Sequence, residues 1–70
     1  MPRFDVDRWC ADVRRAIDAA DMDSLVPLLY ENDPNGIFSW EDFSREYDGY
    51  TRKEWFDGNI ECAKQMLEDE

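Results

Sequence analysis

Histidine is missing from this 70-residue chain, cysteine occurs twice, and glycine and proline occur three times each. Lys and Arg together number 8, against 18 Asp and Glu. Without histidine, the usual zinc patterns and the commonest general base are out of reach. Cys10 and Cys62 have no C-x-x-C spacing and no base to activate them, and neither a G-x-S-x-G elbow nor a glycine-rich phosphate loop occurs. The expectation is a protein that is not an enzyme and implies no cofactor. No apolar run approaches the roughly 20 residues of a membrane span, and "MPRFDVDRWC" has no signal-peptide core. A cytoplasmic protein that leaves membranes alone is expected, its two cysteines packed as reduced, buried thiols.

What is present argues for a fold. Hydrophobic residues make up 43% of the chain and ten residues are aromatic, too many for disorder despite a formal charge of −10. A chain this short buries only about 60% of the surface its unfolded form exposes, so residues 1–70 are read as one domain with one small core.

The apolar spacing is helical throughout. Val6, Trp9, Cys10, Val13, Ile17 and Ala20 recur at steps of three and four and predict a helix over 5–20, capped by Asp5 or Asp7. A second, short helix is predicted over about 24–31, capped by Asp21 or Asp23, burying Leu25, Val26, Leu28 and Leu29, with Pro27 near its first turn. "DPNG" ends it as a turn in which Gly36 takes the left-handed conformation. Ser39 caps a third helix over about 40–47, and Thr51 with Glu54 forms a capping box for a fourth that runs to the C-terminus, with Tyr50 stapled on Trp55. The fold class is therefore all-α, a bundle of about four helices, two long and two short. Seven of the ten aromatic residues lie from Phe38 to Phe56, which predicts that the third helix and the start of the fourth hold the best-packed core.

Charge is unevenly spread. Residues 1–15 carry three acids and four bases, residues 52–70 six acids and three bases. Residues 16–51 carry nine acids against Arg45 alone: Asp18, Asp21, Asp23, Glu31, Asp33, Glu41, Asp42, Glu46 and Asp48. A field of that sign repels nucleic acid and attracts surfaces built to hold it. Carboxylates one helical turn apart, roughly 5–6 Å, approach the spacing of successive phosphates on a strand, and Asp18 with Asp21, and Asp42 with Glu46, are read as such pairs. Those nine carboxylates are the candidate partner-binding residues, and the candidate partner is a basic nucleic-acid-binding protein or complex.

The stretch "ENDPNGIFSWEDF" raises an alternative. With Gly36 at the sixth position of a twelve-residue loop, Glu31, Asp33, Asn35, Ile37, Ser39 and Asp42 fall where the EF-hand family places its ligands, and the loop resembles that family. The resemblance implies Ca²⁺ held by oxygens at those positions. Glu31 stands where the family has Asp, Pro34 stiffens the loop, and Asp42 is shorter than the usual Glu, which implies weak binding at most. No metal ligand is assigned, and the alternative reading is a small helical adaptor built around this loop. "RRAIDAADMDSLVPLL" and "DGYTRKEWFDGNIECAKQML" also loosely resemble halves of HEAT-type repeats, which supports an adaptor-like helix pair.

A small, strongly acidic all-α domain without catalytic apparatus resembles the inhibitors that bacteriophages and mobile elements direct against nucleic-acid-handling host systems, anti-CRISPR proteins and other DNA mimics among them. The likeness is one of size, charge and missing active site. It implies a protein that blocks a Lys/Arg-lined channel of a host defence complex.

Overall fold

Four helices follow one another in the computed structural model, which describes residues 5–69. They are α1 (Val6–Ala19), α2 (Met22–Asn32), α3 (Trp40–Glu46) and α4 (Arg52–Asp69). No strand occurs among the described residues, so the all-α reading holds. The capping residues act as their chemistry dictates. Asp5 accepts from the Arg8 N–H, Asp21 from Ser24, and Ser39 from Asp42, each relieving a backbone donor that the first turn of a helix leaves unpaired. At α4 the box is reciprocal: the Glu54 N–H donates to the Thr51 hydroxyl at 3.1 Å and the Thr51 N–H donates to the Glu54 carboxylate at 3.0 Å.

The turn between α1 and α2 is tight. The Ala20 N–H donates to the Ile17 carbonyl and the Asp21 N–H to that of Ala16, the paired bonds of a Schellman motif. Ala20 occupies the left-handed position with φ 52°, where a Cβ is costly. Ala20→Gly is expected to stabilise the fold by about 0.5–1 kcal/mol, read as a higher denaturant midpoint at unchanged slope. A lower midpoint would contradict the motif.

The core lies between α1 and α2, with α4 beneath them. Trp9, Val13, Leu25 and Leu29 are fully buried, and Ala16, Phe38 and Ala63 complete the cluster. The Trp9 indole N–H donates to the Leu28 carbonyl at 2.7 Å, tying α1 to α2 where their apolar faces meet. Both cysteines are free thiols and half-buried.

Four expectations need correction. The helix α3 buries none of its residues, because seven residues packed against α4 do not reach the α1–α2 core. Its aromatic side chains pack instead on Tyr47, Tyr50 and Trp55, and Tyr50 lies against Phe43 and Tyr47 rather than stapled on Trp55. Pro27 is the sixth residue of α2, past the first turn, so its missing N–H does remove an intrahelical bond. Gly36 does not have a positive φ; among the described glycines Gly49 does, at 93°. A Cβ at Gly36 would collide with the Phe38 ring, and that close approach is why glycine stands there.

Candidate protein-binding surface

The chain from Asp33 to Ser39 joins α2 to α3 and is held from below. The Gly36 N–H donates to the Asp33 carbonyl, closing a β-turn, and the Asn35 N–H donates to the Asp33 carboxylate. Phe38 is the anchor: its ring is buried, and its carbonyl accepts from the Trp55 indole at 2.7 Å and the Asn59 amide at 2.8 Å. Asn59 is the buried polar residue among the described residues, and its amide N–H donates to that carbonyl. Tyr30 closes the other side, its hydroxyl donating to Asp42 and accepting from the Phe38 and Ser39 N–H groups. The turn is thereby fixed against α2 and α4.

Upon this frame the nine candidate carboxylates divide into two groups. Four are engaged within the fold. Asp21 caps α2, Asp33 shapes the turn, Asp42 meets Tyr30 and Arg45, and Glu31 binds Arg8 at 2.9 Å. Arg8 also holds Asp12 at 2.9 Å, so the Glu31 hydrogen bond first and its charge next raise the guanidinium pKa above its ordinary value. The other five, Asp18, Asp23, Glu41, Glu46 and Asp48, are exposed and form no ion pair among the described residues.

Geometry brings some of these together and separates others. Asp42 and Glu46 share α3 one turn apart, as expected. Asp18 and Asp21 do not share a helix: Asp18 lies in the last turn of α1, and Asp21 follows the left-handed turn to cap α2. Across the α2–α3 cleft, Asp23 and Glu41 line one groove of about 410 Å³ with Trp40 and Arg52. The Arg52 guanidinium lies 5.5 Å from the Trp40 ring centre and 5.6 Å from that of Trp55, placing one cation inside the acidic field.

Four of the six ligand positions of the EF-hand-like loop are engaged within the fold. Glu31 is on Arg8, Asp33 on the Asn35 N–H, Ser39 and Asp42 on the start of α3 and Tyr30. Among the described residues no three Asp, Glu, Cys or His side chains gather as a metal cluster. Phe43, Tyr47 and Tyr50 lie with ring centres 5.1–6.3 Å apart, in contact with one another. Asn59, buried beneath this surface, and Gly58, exposed beside it, carry no signal in the sequence that marks them for function. No described helix is long and apolar enough to cross a membrane. Compared with family models, curated proteins and solved structures, the chain matches none.

Proposed function

We propose that this protein is an acidic inhibitor that binds and blocks a basic nucleic-acid-binding surface on another protein, in the manner of the DNA mimics that act on host defence complexes such as CRISPR effectors. The observation that carries the reading is the set of five exposed carboxylates, Asp18, Asp23, Glu41, Glu46 and Asp48, that no basic side chain of the described fold neutralises. A surface lined by Lys and Arg to receive phosphates offers such carboxylates the charge-assisted hydrogen bonds that the chain itself withholds. Steering between opposite fields speeds encounter, and screening by salt weakens it. Occupation excludes nucleic acid by volume and by charge together.

The test is capture on the tagged protein from nuclease-treated bacterial lysate at low salt, followed by elution with duplex DNA. The expected result is a nucleic-acid-binding protein or complex that the duplex displaces. Retention of a partner that DNA leaves in place, or of none, would overturn the reading.

A further inference from the structure

Between the 33–39 turn, α3 and the middle of α4 runs an open groove of about 460 Å³. Ile37, Phe43, Tyr47, Trp55 and Cys62 contribute its apolar lining, and Gly58 forms its α4 edge. Ile37 and Tyr47 are 36% and 46% exposed, so the rim of the lining faces water above the buried Trp55. Gly58 is the anomaly. Glycine inside a helix costs about 1 kcal/mol relative to alanine, and a cost of that kind normally reflects a close neighbour or an unusual backbone. Neither applies: the backbone is helical, and a Cβ at Gly58 would meet no atom within 4 Å. The folded chain gains nothing from the missing side chain. What the missing side chain preserves is the open volume of the groove.

Acids outnumber bases around the groove, where Arg45 is paired with Asp42 at 3.6 Å and Arg52 lies over the Trp55 ring. Glu54 and Glu61 stand four residues before and three residues after Gly58 on the same helix, which makes them its neighbours on the α4 surface, Glu54 also accepting from Thr51. Glu46 and Asp48 flank Tyr47 in sequence. Asp33 is near enough that burial first and its charge second push the Cys62 thiol above its ordinary pKa. The nearby cation Lys53 is held by Asp57 at 2.7 Å. A second copy of the chain is a poor occupant, because two bodies of charge −10 repel. An apolar segment without charge would leave the acidic rim facing nothing.

We infer that the groove beside Gly58 receives an apolar side chain of the inhibited protein, carried on a segment whose neighbouring residues are Lys or Arg. This rests on the acidic-inhibitor reading and adds an apolar contact to it: the groove between α3 and α4 meets the partner beside Glu46 and Asp48, two of the five carboxylates on which that reading stands. The carboxylates orient and attract; the apolar side chain in the groove supplies contact that salt does not screen.

The experiment uses two probes, a short Lys/Arg peptide with one central leucine and its twin with serine in that place, titrated at low salt while backbone amide resonances are followed. The leucine peptide is expected to bind about 10- to 100-fold more tightly than the twin, the effect of burying one such side chain. Its shifts should centre on Ile37, Gly58, Asn59 and Cys62. Gly58→Ala should melt higher than the parent, showing that glycine is not required by the fold, and Gly58→Leu should bind the two peptides equally. Equal binding of both peptides to the parent chain, or shifts that avoid the groove, overturns the groove while leaving the acidic reading in place. Failure of both peptides to bind at low salt overturns the acidic reading and the groove with it.

Discussion

Trp9→Ala is expected to leave little folded protein at ambient temperature. Trp9 is fully buried at the centre of the α1–α2 interface, and its indole N–H is bonded to the Leu28 carbonyl at 2.7 Å. Truncation removes the largest side chain of the core, opens a cavity among Val13, Leu25 and Leu29, and costs about 3–5 kcal/mol. A chain of this length has about 4–10 kcal/mol to lose. Thermal unfolding followed by far-ultraviolet circular dichroism should show a midpoint at least about 12 °C lower, or no cooperative transition at all. Trp9→Phe keeps most of the packing and loses the hydrogen bond, so it should fall between the two. A cooperative transition within a few degrees of the parent in Trp9→Ala would place the core elsewhere. Tyr50→Ala is the contrast: that ring is 52% exposed and packs on other surface rings, so its loss should be mild.

Reversing Asp18, Asp23, Glu41, Glu46 and Asp48 to Lys should do the opposite, sparing the fold and destroying the activity. Each reversal changes the charge by two, which takes the formal net charge from −10 to about zero. None of the five forms an ion pair among the described residues. Asp23 and Glu41 do sit in the first turns of α2 and α3, where a positive side chain opposes the helix dipole at a cost of about 0.3–1 kcal/mol each. Helicity should therefore persist with a midpoint lower by several degrees. Affinity for the captured partner is expected to fall at least about 100-fold, chiefly in the association rate. Unchanged affinity at intact helicity would remove electrostatics from the mechanism.

Local chemistry made most of the fold legible in advance. Asp5, Asp21, Ser39 and the Thr51–Glu54 pair start their helices where capping chemistry places them, and the three- and four-residue steps of Trp9, Val13, Leu25 and Leu29 mark the faces that become the core. Aromatic density misled, because seven residues of α3 are too short to bring their rings to the α1–α2 interface. The burial of Ala16 was invisible for a related reason: a small side chain is buried only where another helix comes close, and approach is a tertiary fact.

The candidate surface was legible in composition and not in arrangement. Nine acids against one base between residues 16 and 51 can be counted on the sequence. That Glu31 is spent on Arg8, and that Asp18 and Asp21 lie on separate helices, depends on how α1 turns into α2 at Ala20. Similarly, Asn59 reads as one more residue on an amphipathic face until Phe38 presents it a carbonyl 21 residues away in sequence. Gly58 reads as a flaw in α4 until the space beside it is seen to be empty.

Competition with nucleic acid tests the central claim most directly. Once a partner is captured, its affinity for this protein should be measured by titration at a series of fixed duplex DNA concentrations. The account predicts an apparent Kd that rises in proportion to DNA concentration, with no complex containing partner, DNA and protein together. A Kd indifferent to DNA, or a stable ternary complex, would contradict it.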